Sequence, residues 1–246
     1  MNQTIRTIHA HHSVRSYTDA PVAEEMLEQV IEGGYRCPTS FNAQHVSVVV
    51  LRSPTTRARI AQLGGNQAWI ARAPVFITMV ADLNKTMAGV RAAGGQQVAH
   101  KSVELLVACS IDAGIALGNM MTAARSLGLG VVPIGGIRRN PQAMIELLKL
   151  PSLTFPLCGM CLGHIDEDGP RKPRLPMATF RHDEFYRPEA IEAAIEPYDR
   201  TLMEHWKAVD RADGSSWSEN LAEHYTKNYF PNVKPVIEAQ GFTHEM

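Results

Sequence analysis

The order of apolar and polar positions divides the chain into short β-branched runs and longer segments of helical period. Residues 4–11 have the make-up of a short helix. Asp19-Ala-Pro-Val marks a further helix start, with Pro21 near the first turn, where a missing N–H breaks no hydrogen bond. Residues 24–35 continue that helix. Met26, Leu27, Val30 and Ile31 lie on one side, and Gly33-Gly34 weakens the end. Residues 46–51 and 75–80 are continuous apolar runs, as expected of buried strands. Residues 54–63 read as a helix. Residues 86–97 are rich in Gly and Ala and have no clear core face, which predicts a mobile connection. Residues 98–127 form one long helical pattern, apolar nearly all round, in which Gly114 and Gly118 permit close backbone approach. A strand over 130–136 ends in a glycine turn, Asn140-Pro141 starts a helix through 148, and 156–165 is a strand. After Pro188 the chain is helical and more polar, with Trp206, Trp217, Tyr225, Tyr229 and Phe230 as apolar anchors. Strands and helices mix without a regular βαβ alternation, so the expected class is α+β, a sheet wrapped by helices.

Composition narrows the class further. A chain of 246 residues suits one domain, 1–246, with 187–246 as a helical excursion packing on the body or on a partner subunit. Lys plus Arg number 24 against 25 Asp plus Glu, so no charge excess suggests nucleic acid or an anionic membrane. Aromatic residues, at 7%, are too sparse for a base-stacking platform. Cys37, Cys109, Cys158 and Cys161 make no disulfide framework, and the first residues lack a secretion-type apolar stretch. The apolar region 103–129 is interrupted by Glu104, Asp112, Asn119 and Arg125, which makes it a poor bilayer span. A cytoplasmic protein without membrane or nucleic-acid partners is expected.

Four clusters could carry chemistry. His11-His12-Ser13-Val14-Arg15 offers a hydroxyl and a fixed cation after a helix, as a phosphate site needs, although alone it also reads as a solvated helix end. Lys172-Pro-Arg174-Leu-Pro176 holds two cations two apart on a stiff segment, so both can project one way; alone it is also an ordinary charged loop. Pro133-Ile-Gly-Gly136 would let a flat ligand approach the backbone, or be a plain tight turn. Thr39-Ser40 supplies hydroxyls, and Gln67, after Gly64-Gly65, supplies an amide that can both donate and accept. No G-x-G-x-x-G or P-loop pattern is present. Cys158-Gly-Met-Cys161 has no second C-x-x-C, and cysteines three apart on a strand face opposite ways, so they read as small buried hydrophobes rather than metal ligands. No metal is expected.

Taken together and in order, 11–19, 64–67, 134–138, 162–163 and 172–176 resemble the FMN-dependent nitroreductase family, in particular its NADPH-dependent nitroreductase and flavin reductase branch. The resemblance implies a homodimer with two FMN sites, the 98–127 helix in the dimer core and a C-terminal helical extension around the partner. It implies that His11, Ser13, Lys172 and Arg174 hold the FMN phosphate, and that Arg15 lies towards the N1/O2 edge as an electrostatic stabiliser. Thr39, Ser40 and Gln67 would meet ribityl and ring polar atoms, with Ile134, Gly135 and Gly136 lining the ring near N5. Lys207 and Arg211 are the candidates for NADPH, in a 207–216 loop that also resembles a mobile segment. Position 12 is His where the branch has Arg. The activity implied is hydride transfer from NADPH (or NADH) through flavin N5 to nitroaromatic, quinone or related acceptors, with ping-pong kinetics and no catalytic side chain. The alternatives are an NADPH:FMN reductase serving a partner, and a flavin-binding sensor without turnover.

Overall fold

The computed structural model describes residues 1–242. Four strands, β1 (Val46–Leu51), β2 (Val75–Asp82), β3 (Leu129–Ile134) and β4 (Thr154–His164), form an antiparallel sheet in the order β1-β2-β4-β3. The strands expected at 46–51, 75–80, 130–136 and 156–165 are all present. β1 was expected to be buried, but it is half-buried along its length, unlike β3, which is also an edge strand and is buried at all but Pro133. Between β2 and β4 the register shifts after Met79, which pairs with Cys158, while Val80 pairs with Pro156; Leu157 is thus the extra residue of a bulge.

Strand alternation decides which side chains meet which helices. Val75, Ile77 and Met79, with Leu129, Val131, Met160 and Leu162, pack against α2 (Glu24–Tyr35) and α6 (Val103–Ser126). Phe76, Val132, Ile134 and Cys161 face the other way, among Ile60 and Leu63 of α3 (Pro54–Leu63), Ile70 of α4 (Ala68–Arg72) and Met144 of α7 (Pro141–Leu148). The class is α+β. α1 (Gln3–His9) precedes these layers, close to its expected range.

Several local expectations need correction. α2 begins at Glu24 with Ala23 as its cap, so Pro21 lies outside the helix. Gly33 and Gly34 do not fray its end but bring it onto α6: a Cβ at Gly34 would come 2.6 Å from Met120 Cγ. The 98–127 pattern is broken at Ser102, whose hydroxyl accepts the Glu104 N–H and starts α6, after a 3₁₀ turn over Ala99–Lys101. The expected mobile connection at 86–97 is largely helical, as α5 (Asn84–Ala92). α5 buries no side chain, hence the missing apolar period. It is held instead by Asp82, which accepts the Asn84 N–H, and by Lys85, which donates to the Val46 carbonyl at 2.7 Å.

α6 is the described helix long and apolar enough to cross a membrane by length and composition. In this fold Cys109, Asp112, Ala113, Ala116, Met120 and Ala124 are buried, while Val103, Val107, Ile111 and Ile115 are exposed.

The chain divides into two compact units. The first comprises Met1–Gly169 with the described residues from Asn232, and the second Pro170–Pro231. In the first, α10 (Val233–Ala239) follows the second unit in sequence, and Ile237 and Phe242 join a core with Leu83, Cys109 and Phe155. The second contains α8 (Glu189–Ala208) and α9 (Trp217–Tyr225). Trp206 is buried there. Tyr225 and Tyr229, expected as apolar anchors, are instead exposed and stack on each other at 6.4 Å. The last four positions of the expected 187–246 excursion, 243–246, lie outside the described residues.

Candidate functional site

The 11–15 segment is seated on the sheet by its middle residue. The Val14 N–H donates to the Val131 carbonyl at 3.0 Å, and its side chain is fully buried where Gly130 has no Cβ. Extended backbone alternates, so Ser13 and Arg15 project away from the face that Val14 occupies. Tyr17 locks the segment by donating from its hydroxyl to the Val14 carbonyl at 2.6 Å, and burial pushes its phenol pKa far up. The Arg15 guanidinium lies 5.4 Å from the Trp69 ring centroid, within cation–π range. His12, the departure from the family pattern, contacts the Ala10 carbonyl through Nδ1 at 3.0 Å and pairs through Nε2 with Asp168.

Gln67 and Gly136 meet. A Cβ at Gly136 would come 2.5 Å from the Gly64 carbonyl oxygen and closer still to Gln67 Nε2. Gln67 Nε2 donates to that same carbonyl at 2.6 Å. The glycine therefore allows a close approach between the turn after β3 and the entrance of α4. Gly135 begins a 3₁₀ turn (Gly135–Arg139), and the Ile134 side chain is buried in the core, so any ligand contact there falls to the backbone. Trp69, two residues past Gln67, has a buried indole N–H with no hydrogen-bond partner. Sequence reading passed over Trp69; an indole at the start of a helix beside the Gln67 amide was the available signal.

Thr39 and Ser40 belong to a different cluster. Thr39 Oγ1 accepts the Gln44 N–H at 3.2 Å, and the Ser40 N–H donates to Asp112 Oδ2 at 3.0 Å. Asp112 also lies 2.8 Å from His45 Nε2. Thr39 lines a cavity of about 440 Å³ with an apolar floor that includes Val46, Val48 and Met79. Asp112 entered the sequence reading only as an interruption of an apolar run.

In the second unit, Lys172, Arg174 and Arg211 line one cleft of about 380 Å³ together with Tyr198, Trp206 and Ser215. Tyr198 donates to the Pro173 carbonyl and Trp206 Nε1 to the Ser215 carbonyl, each at 2.9 Å, so both walls are tied to α8. Lys172 Nζ lies 5.1 Å, and Arg211 Cζ 4.8 Å, from the Trp206 ring centroid. Arg211 also donates to Asp213 at 3.1 Å, and that bond holds the Asp213 carboxyl below its ordinary range. Lys207 is exposed in the last turn of α8, outside the cleft lining. Residues 207–216 include the end of α8 and the Ser216 capping box of α9.

The four cysteines are free. Cys161 is fully buried, as expected, whereas Cys158 is half-buried, its Sγ 3.6 Å from the Ile134 carbonyl. Burial pushes the Cys161 thiol far up despite the opposing pull of Arg15 and Arg57. The thiolate is the reactive form, so iodoacetamide at pH 8 is expected to leave Cys161 unlabelled in the folded protein and to label it in urea, read by peptide mass spectrometry. Rapid native labelling would contradict this burial.

Comparison with known proteins supports one family. The model of the nitroreductase family matches residues 8–164, and that of the nitroreductase family C-terminal domain matches 172–245. The chain is 39% identical over 245 residues to an FMN reductase [NAD(P)H] of Bacillus subtilis, covering 98% of each. It is 33% identical over 242 residues to an NADPH-flavin oxidoreductase of Vibrio harveyi, again covering 98% of each. The structure of B. megaterium NfrA2 superposes with a TM-score of 0.97 at 38% identity and full coverage of both chains.

Proposed function

The chain belongs to the nitroreductase family, and from that premise we propose that it is an FMN-dependent oxidoreductase that takes hydride from NADPH and passes it to a small oxidised acceptor. The observation that carries the reading is the junction of Gln67, Gly64 and Gly136, with the unpartnered Trp69 N–H and the Arg15 guanidinium stacked on the same indole. Those groups suit a flat, polar-edged ring: an amide that donates and accepts, backbone left open by glycine, a spare donor and a fixed cation. When bound, FMN supplies the two-electron hydride chemistry that no side chain can perform.

The residues divide the remaining work. Arg15 provides positive charge where negative charge develops on reduction, and its stacking on Trp69 orients it beforehand. Gln67 engages the pyrimidine edge, and the Ile134–Gly136 backbone borders the ring. For the phosphate, Lys172 and Arg174, which line one cleft of the second unit, are proposed ligands, as are His11 and Ser13 of the first; Thr39 and Ser40, although in a cluster of their own, are proposed for the ribityl chain and ring polar atoms. Arg211 takes the NADPH 2′-phosphate; Lys207, exposed and outside the cleft that Arg211 lines, is not brought to it. A second copy covers α6: Val103, Val107, Ile111 and Ile115 are exposed beside Gly114 and Gly118, where an added Cβ would meet nothing within 4 Å. An unpartnered apolar stripe with open glycines suits helix-to-helix packing in a homodimer.

Nitroaromatics and quinones are the proposed acceptors. The B. subtilis and V. harveyi relatives, named as an FMN reductase and a flavin oxidoreductase, favour free flavin as a second acceptor. Turnover with added FMN against turnover with a quinone separates the two. Purified protein should be yellow, and initial rates at varied NADPH and quinone should give parallel lines. Arg15→Ala should slow NADPH-driven flavin reduction roughly tenfold in stopped-flow measurements. Colourless protein that cannot be loaded with FMN, or an unchanged reduction rate in that variant, would refute the respective assignment.

A further inference from the structure

Asp112 is the carboxylate of α6 that the fold buries. A buried carboxylate is costly unless other groups offset its desolvation. Here a single oxygen makes two contacts: Asp112 Oδ2 accepts the Ser40 N–H at 3.0 Å and lies 2.8 Å from Nε2 of His45, itself 1% exposed. Ser40 and His45 bracket a short loop. Within it Phe41, Asn42 and Gln44 have φ of 52°, 54° and 51°, left-handed conformations that side-chain-bearing residues adopt rarely. Three such residues in four positions persist only where surrounding contacts over-determine them. The Phe41 ring is fully exposed and supplies no such contact. From a 24-residue helix packed on the sheet, Asp112 thus accepts a hydrogen bond from one end of the strained loop and lies within ion-pair distance of the other, where the His45 ring nitrogens have no hydrogen-bond partner among the described residues.

We propose that Asp112 and His45 are positioning residues for the flavin chemistry, holding Thr39 and Ser40 where their hydroxyls meet the cofactor. This rests on the reading that Thr39 and Ser40 contact FMN, so the experiment tests the two separately. FMN affinity is measured by fluorescence titration of the apoprotein, together with the visible spectrum of the bound flavin. Thr39→Val/Ser40→Ala removes the hydroxyls, and with the Thr39 hydroxyl the Gln44 N–H bond within the loop; Asp112→Ala reports on the positioning. Both should raise the FMN Kd about tenfold, the scale of one charge-assisted hydrogen bond, and shift the flavin band in the same direction. Asp112→Asn, whose amide oxygen can still accept the Ser40 N–H, should recover most of the affinity. A merely structural role would lower the melting temperature and leave the spectrum of the bound flavin unchanged. If Thr39→Val/Ser40→Ala alters neither readout, the contact assignment is wrong. If it alters both and Asp112→Ala alters neither, the positioning proposal is overturned. Should Asp112→Ala fail to fold, His45→Ala keeps the Ser40 bond and releases the other end of the loop. An unshifted spectrum in folded His45→Ala would likewise overturn the proposal.

Discussion

Gly136→Ala should yield a protein that no longer retains flavin through gel filtration and that melts several degrees below wild type. The added methyl would sit 2.5 Å from the Gly64 carbonyl oxygen, which is backbone and cannot rotate away. Gly64 is buried at the end of α3, its N–H bonded to the Ile60 carbonyl at 2.8 Å, and Asn140 Nδ2 ties the preceding Leu63 carbonyl at 2.9 Å. Neither side of the contact is free to give. Overpacking of this kind costs about 1–3 kcal/mol, and each kcal/mol lowers the melting temperature by roughly 2–4 °C in a chain of this size. The functional loss should exceed the loss of stability, because the methyl also displaces the Gln67 amide, which it would meet first. Gly89→Ala is the matched control. It lies within α5, where an added Cβ meets nothing within 4 Å, so alanine should leave flavin content unchanged and hold or raise the melting temperature. Wild-type flavin content in folded Gly136→Ala would remove the junction from the site.

Local signals made much of the fold legible. The β-branched run at 46–51 matches β1, and Pro54 and Pro141 mark the first turns of α3 and α7. What local pattern did not convey depends on partners distant in sequence. The depth of β1 depends on what covers it: two edge strands, β1 and β3, read alike as apolar runs, yet only β3 is buried, and no single run of residues encodes that difference. Gly34 reads as a helix weakener until Met120, far along the chain, occupies the space it leaves. α5 lacks an apolar period because its supports are a carboxylate at its start and a lysine reaching to β1. The site shows the same division. Arg15, Gln67 and Gly136 were named from residue type and order, and the fold brings Gln67 against Gly136 and Arg15 onto Trp69. Trp69 went unnamed although it stands at the start of a helix beside Gln67; that its indole N–H is unpaired is a property of the folded environment. The Asp112–His45 contact spans α6 and the start of β1, and neither residue has a spacing motif to betray it.

Lys172→Ala/Arg174→Ala should weaken FMN binding by about a hundredfold or more while leaving riboflavin binding nearly unchanged. Each charge-assisted contact to a phosphate is worth about 1.5–3 kcal/mol, and every 1.4 kcal/mol is about a factor of ten, so removing two gives at least that loss. Riboflavin shares the ring and ribityl chain and lacks the phosphate. A grip on the phosphate alone therefore predicts that wild type prefers FMN strongly and that the double variant loses the preference. The single variant Arg174→Lys keeps the charge and gives up the planar fork, so its affinity should fall between the two. Salt provides an independent check. Raising ionic strength screens exposed cations, so wild-type FMN affinity should fall with added chloride, and the double variant should respond less. Trp206 makes the outcome more demanding, because Lys172 and Arg211 both lie against its ring and Arg211 survives in the double variant. If Arg211 serves NADPH, the NADPH KM should change far less than the FMN Kd. An equal loss for FMN and riboflavin would mean that the cleft supports the fold of the second unit rather than a phosphate, and the assignment of Lys172 and Arg174 would fall.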